Sequence, residues 1–242
     1  MALGSGQFSS QRAQKPHLLR GSGGVASEIG DVRDDIAADF AANAAIAVEE
    51  FTNVAAAVTD AFASITDAAL VAGATISGSG LDGSVGQGTL DPPRNVTITI
   101  SDVDTFVPTG NVVFNGVDIN GDVITETFLE AALQAGAGGT IAGLKAFASV
   151  TSIVVPAMAD GGGETLDFGF GARIGLGKPI KTRAGAVSII KEHAVGAVVT
   201  NGAVATAAVG EPHGTYTPNS APNGTNDYML MYEYDATANR DA

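Results

Sequence analysis

The feature that most constrains the fold of this chain is a pair of β-branched runs on either side of Asn120-Gly121. The stretch reads NVVFNGVDINGDVITETFL, and Asn-Gly is preferred in the two-residue type I′ turns that join antiparallel strands. It predicts a β-hairpin with Asn120 and Gly121 at the turn. A calcium loop is the alternative, because Asp118, Asn120 and Asp122 have the spacing D-x-N-x-D. The glycine and glutamate that would complete such a loop are misplaced, so the sequence favours the turn.

Other short strands follow the same pattern. Between residues 95 and 100, Val96, Ile98 and Ile100 occupy every second position, as in a strand with one buried face. Further strands are predicted at 151–156, 165–170, 186–191, 197–200, 203–207 and 228–234, with a loop or short helical turn at 131–144. The 32 glycines cluster between such runs, which is typical of tight turns. Residues 94–242 are therefore predicted to form a mainly β domain, an antiparallel β-sandwich or a barrel-like fold.

The first 93 residues have a different character. Residues 1–24 are polar and without periodicity, which predicts a flexible arm. In residues 25–72, apolar side chains recur about every 3.6 residues, and this period predicts a long N-terminal α-helix, or two helices if it breaks near 43 or 52–53. Residues 73–93 contain six glycines and end in Pro92-Pro93, which predicts a Gly/Pro linker.

A helix of this length buries its apolar stripe against its own domain or against copies of itself. We predict self-association through the stripe formed by Phe40, Phe51, Val54, Val58, Phe62 and Ile65. The arm carries Arg12, Lys15 and Arg20, whereas the formal net charge of the chain is −14. These three cations predict docking to an acidic partner surface, with an unstructured tail of incidental charge as the alternative.

Composition excludes several classes of function. The net charge of −14 argues against general binding of nucleic acids, whose phosphates would be repelled. Cysteine is absent, which excludes disulfides and thiol chemistry, and no segment approaches the roughly 20 apolar residues of a membrane helix. The N-terminus does not have the pattern of a signal peptide. The three histidines, His17, His193 and His213, lack the spacing of a helical metal pair. The sequence predicts no catalytic residue, no metal site and no cofactor, and hence a non-enzymatic protein.

Four motifs carry a resemblance to a known family. They are the hairpin at 110–127, the strand KAFASVTSI at 145–153, the segment GARIGLGKPI at 171–180 and the tail NGTNDYMLMYEY at 223–234. Together they resemble a family of small structural proteins of tailed bacteriophages, usually described as capsid decoration, cement or head-fibre proteins. The arm and the predicted helix lie outside the resemblance.

The resemblance implies a structural component of a phage virion that binds and stabilises the head shell. Its expected partners are the major capsid protein and further copies of itself, with a trimer as the favoured homo-oligomer. It would be made in the cytoplasm of the host bacterium and located on the capsid surface. A tail or fibre-associated adaptor is the alternative. A sugar-binding module is more remote, because the chain has no Trp and only 4 Tyr to form an aromatic platform.

Overall fold

The chain is described by a computed structural model, which covers residues 44–66, 72–101, 107–159, 163–180, 182–183, 186–187, 189–194, 197–199, 202–205 and 215–235. The described part is mainly antiparallel β-structure in several sheets, with one six-residue helix, α1 (Glu130–Ala135). Its strands are, in chain order, β1 (Ala44–Phe51), β2 (Val58–Thr66), β3 (Ala74–Ser77), β4 (Arg94–Ser101), β5 (Val112–Val117), β6 (Val123–Phe128), β7 (Thr140–Phe147), β8 (Ser149–Val155), β9 (Thr165–Gly175), β10 (Thr182–Arg183), β11 (Ala186–Val187), β12 (Ile189–Ala194), β13 (Ala197–Val199), β14 (Ala203–Ala205), β15 (Thr215–Thr217) and β16 (Tyr228–Asp235).

Two of the sheets share one hydrophobic core. The larger sheet has the order β14-β15-β9-β4-β7, with β2 also paired to β9, and the smaller one has the order β3-β8-β5-β6. Inward side chains of both sheets form a single buried cluster. Phe114 of β5 packs between them, with its ring 5.8 Å from that of Phe168 on β9 and 5.7 Å from that of Phe128 on β6. The Phe114–Phe168 contact joins the two sheets, because edge-on aromatic pairs at such distances are favourable, whereas the Phe114–Phe128 contact lies within the smaller sheet.

A third sheet, of order β1-β16-β12-β13, has smaller clusters of its own. Tyr232 and Leu230 of β16 are fully buried there, together with Leu176 from the segment after β9 and Tyr216 of β15. The third sheet is thereby connected to the larger sheet through β9 and β15. A two-stranded ribbon, β10-β11, completes the described strands.

The predicted helix over 25–72 is wrong wherever the structure describes that segment. Residues 44–51 and 58–66 are strands: β1 pairs with β16, and β2 pairs with β9. Ala61, Phe62 and Ala63 are buried consecutively because β2 bulges between Val58 and Ala63, a pattern that is neither helical nor strictly alternating. Long-range pairing with β9 and β16 thus overrides the helix propensity of a local segment rich in alanine, the strongest helix former. Residues 25–43 lie outside the described residues.

Residues 73–93 are not a linker. Strand β3 pairs with β8, and the following loop donates backbone hydrogen bonds to β2, from Gly83 to the Phe62 carbonyl at 2.9 Å and from Val85 to the Ala61 carbonyl at 2.7 Å. Leu81 and Leu90 are buried in the shared core. The predicted domain boundary before residue 94 is therefore wrong as well, because residues on both sides of it belong to the same sheets and the same core.

Candidate interaction surface

Chemically reactive groups do not converge in the part of the chain that the structure describes. Within it, no group of three or more His, Asp or Glu side chains is placed to hold a metal ion. None of its helices has the length and apolar character needed to cross a membrane. His193 lies in β12, where its backbone faces Val198 of β13 and Met229 of β16, and His17 and His213 are outside the described residues.

Arg94, the first residue of β4, is a buried cation that connects three backbone segments. Its side chain is 2% exposed and donates to the carbonyls of Arg173 at 3.0 Å, of Ala55 at 2.7 Å and of Gly171. The guanidinium also lies 4.8 Å from the centre of the Phe170 ring. Because burial disfavours the charged form, the pKa of Arg94 is lowered to about 10. Arg94 therefore ties β9 and the loop after β1 to β4, and its bonds to carbonyls indicate a structural role.

The next residue, Asn95, fills a break in the strand pairing. The register of β4 shifts at this point against both β7 and β9, which leaves backbone groups without ladder partners. The Asn95 side chain accepts from the backbone N–H of Arg173 at 3.1 Å and donates to the Gly143 carbonyl at 3.3 Å. Asn95 is only 1% exposed, so these bonds satisfy polar groups that water does not reach.

A second polar cluster joins β1 to β16 and to the segment after β9. The Tyr232 hydroxyl donates to Glu49 Oε1 at 2.6 Å and accepts from the backbone N–H of Lys178 at 3.1 Å. Both Glu49 oxygens lie 3.0 Å from the backbone nitrogen of Gly177, which donates to them. Burial, and then the negative charge of Glu49, raise the pKa of Tyr232. The cluster therefore requires the protonated tyrosine.

This requirement predicts a loss of stability at alkaline pH. An unfolded tyrosine releases its proton near pH 10, whereas folded Tyr232 retains it, so above about pH 10 the unfolded state binds fewer protons and stability falls as the pH rises. Tyr232→Phe should cost about 1–2 kcal/mol at pH 7 and should lose less stability than the wild type between pH 7 and about pH 10.5. Urea unfolding at both pH values measures the difference. Tyr234→Phe, on the same strand, is the matched control, and an equal alkaline loss in Tyr232→Phe and the wild type would contradict the prediction.

The predicted hairpin is confirmed, but its turn is of another type. Strands β5 and β6 pair from Val112↔Phe128 to Val117↔Val123. Gly121 has φ +87°, but Asn120 is not in the left-handed region that a type I′ turn requires. Instead, the Gly121 N–H bonds to the Asp118 carbonyl at 3.1 Å, and the Asp118 N–H bonds to the Asp122 carbonyl at 2.9 Å. This is a three-residue loop with glycine at its left-handed position.

The Asp118 side chain occupies the centre of that loop. It is buried, and its Oδ1 accepts from the backbone N–H groups of Asn120 at 2.8 Å and Asp122 at 3.0 Å. Through these two bonds the Asp118 carboxylate stabilises the turn. They explain the D-x-N-x-D spacing through hairpin geometry.

Five of the six residues of the predicted self-association stripe pack against other residues of the same chain. Phe62 and Val54 are fully buried, Phe62 in the core shared by two sheets and Val54 beside Ile174 and Tyr228. Phe51, Val58 and Ile65 are partly buried and pack against the same clusters. All five residues therefore contribute to folding. The assignment to an intermolecular stripe is wrong for Phe62 and Val54, and for Phe51, Val58 and Ile65 it stays a prediction. Phe40 and the predicted docking arm, Arg12, Lys15 and Arg20, lie outside the described residues.

The outward strand positions of the sheet β3-β8-β5-β6 carry no charged side chain, and the nearest cation among the described residues is Lys145 of β7, whose Nζ donates to the Thr125 carbonyl at 2.7 Å at the β6 edge. Strand register and alternating burial place its outward residues in three cross-strand rows. We call this surface the neutral face. Its first row is Thr75, Val154, Val113 and Thr127, its middle row is Ser77, Ser152, Asn115 and Thr125, and its third row is Ser149, Val117 and Val123. Each of them is exposed or half-buried.

Hydrogen bonds within the neutral face keep its middle row in place. Asn115 donates from Nδ2 to Ser152 Oγ at 3.1 Å and accepts at Oδ1 from the Thr125 hydroxyl at 3.1 Å. Val123 is 82% exposed and Val154 is 38% exposed, so apolar area is also available on the face. This surface is not predicted from the sequence, although every second residue of the four strands is Ser, Thr, Asn or Val.

Comparison of this chain with protein-family models, with curated proteins and with solved structures finds no match. A functional assignment therefore depends on the residues and the geometry of the chain itself.

Proposed function

We propose that this protein is a structural component of a tailed-bacteriophage virion, a decoration or cement protein that binds the major capsid protein on the outer surface of the head. The observation that carries the proposal is the neutral face, a broad and internally hydrogen-bonded surface on a β-body with a continuous core. Such a surface suits repeated contact between neighbouring copies of a rigid decoration subunit. The resemblance of the hairpin, strand and tail motifs to head proteins of tailed phages supports the same assignment.

The properties of this chain also agree with the way in which decoration proteins stabilise a viral shell. A decoration protein works by adding many modest contacts over a large assembly, and burial across several subunits stabilises the whole although each contact is small. A β-sandwich-like body tied by buried groups such as Arg94 and Asn95 keeps its outer surfaces in a fixed arrangement. The acidic composition, with 26 Asp and Glu against 12 Lys and Arg, suits a surface that faces solvent and not packaged DNA.

Stoichiometry on purified particles tests the assignment. We expect an antibody against this chain to detect it in virus particles from cells that produce it, and quantitative gels to show hundreds of copies per particle. Electron microscopy with the same antibody should label the head. A few dozen copies or fewer, with label on the tail, would replace the decoration role by the tail or fibre adaptor. Absence of the chain from purified particles would overturn the virion assignment itself.

A further inference from the structure

We infer that the neutral face is the surface through which two copies of this chain associate face to face. The inference rests on the proposed function only for the role of this contact, which on a head shell would join neighbouring decoration subunits. Association of copies in solution can be measured without any particle. A failure of the inference is therefore distinguishable from a failure of the virion assignment.

Electrostatics favours this surface over the exposed face of β1 as a contact for a second copy. With a formal net charge of −14, two copies repel each other, and contact between like charges costs several kcal/mol. None of the eleven positions of the neutral face is Asp, Glu, Lys or Arg. By contrast, the exposed side chains of β1 include Glu50, two positions after the exposed Val48. Contact through the outward side of β1 would therefore bring acidic groups together.

The chemistry of the face suits an identical partner. Seven of its members are Ser, Thr or Asn, whose side chains both donate and accept hydrogen bonds, and the other four are Val. A surface with balanced donors and acceptors is complementary to its own copy under a two-fold axis, where residue i meets j and j meets i. A strongly acidic or basic partner would find no charged side chain in the three rows and only Lys145 at the β6 edge, which makes a second copy the better-matched occupant.

The area of the neutral face determines how strong the association of two copies is expected to be. Four strands of four to seven residues, about 4.8 Å apart and rising about 3.4 Å per residue, give about 350–400 Å² per copy. Stable dimers usually bury about 800 Å² on each partner, so association of isolated copies should be weak. It becomes effective when copies are held side by side on a common surface, because the local concentration is then high.

Charge substitution in the first row of the neutral face tests the inference. Analytical ultracentrifugation of the full chain from about 10 µM to about 1 mM should show the average mass rising toward that of a dimer. Val154→Glu and Thr127→Glu, both at exposed positions of the first row, should each lower the association constant at least tenfold. Circular dichroism and urea unfolding should show both variants folded, and two variants on different strands guard against a folding defect in one of them.

The matched control is Val48→Glu, which introduces the same charge at an exposed valine of the third sheet. It should associate as the wild type does. A wild-type mass that stays monomeric up to about 1 mM would overturn the inference. So would neutral-face variants that associate like the wild type, or a loss in Val48→Glu as large as that in Val154→Glu. Assembly larger than a dimer that persists in the neutral-face variants would assign self-association to another surface.

Discussion

Replacement of Phe62 by alanine is expected to lower the free energy of unfolding by about 3–5 kcal/mol. Phe62 is fully buried in the core that the six-stranded sheet and the sheet β3-β8-β5-β6 share, between Ala61 and Ala63, which are buried as well. The surrounding strands are tied together by backbone pairing and cannot close on the space that the ring leaves. The lost transfer energy and the cavity therefore add. Urea unfolding, followed by circular dichroism, measures the change.

The dependence of this loss on protein concentration separates two roles for Phe62. A core residue destabilises each molecule to the same extent at every concentration, whereas a residue on an intermolecular stripe would lose stability mainly where copies associate. Val48→Ala is the control, because Val48 is a 53% exposed apolar residue of β1, and it should change stability by less than about 0.5 kcal/mol. A Phe62→Ala effect as small as that of the control would show that Phe62 is not a core residue.

Replacement of Arg94 by lysine is expected to cost about 3 kcal/mol although the charge is retained. The planar guanidinium donates to three carbonyls on two separate segments, those of Arg173 and Gly171 on β9 and of Ala55 in the loop after β1. A single ammonium group cannot occupy all three directions. The charge would remain buried with fewer bonds, and the carbonyls that lose their donor would pay their full desolvation cost.

Arg173→Lys is the matched control for this substitution. Arg173 is half-buried and its side chain donates to the Gly143 carbonyl at 2.9 Å, so loss of that bond should cost about 1 kcal/mol. Thermal unfolding of the two variants at pH 7 gives the comparison. Equal and small losses would mean that water replaces the guanidinium at the Arg94 site, and the structural role assigned to that residue would then be wrong.

Local sequence was enough to predict the strands whose pattern is strong over short distances. The alternation in 95–100, the β-branched runs around Asn120-Gly121 and the aromatic run at 228–234 correspond to β4, the β5-β6 hairpin and β16. In these segments, propensity, periodicity and turn chemistry agree. The tight-turn interpretation of Asn120-Gly121 was correct in kind, but it could not foresee that Asp118 would fix a longer loop by binding two backbone N–H groups.

The helix prediction fails in residues 44–66 because the local pattern of apolar residues is compatible with both a helix and a strand. Small apolar residues spaced about 3.6 apart satisfy a helical stripe, yet the same alanines, valines and phenylalanines fit a bulged strand equally well. Pairing of β2 with β9 and of β1 with β16 involves partners more than 90 positions distant. A window of neighbouring residues contains no information about such partners, so the choice between helix and strand was made by tertiary contacts.

By itself, then, the sequence determined a mainly β fold, because alternation and glycine-rich turns are local properties that few other structures tolerate. It also determined an acidic chain without cysteine chemistry. Tertiary structure alone decided that the segment before residue 94 belongs to the same core, and that Arg94 and Asn95 are interior tethers. It also decided that uncharged residues of four strands meet on one face. The physical reason is that burial and shared faces depend on which strands become neighbours, and that is set by packing over the whole chain.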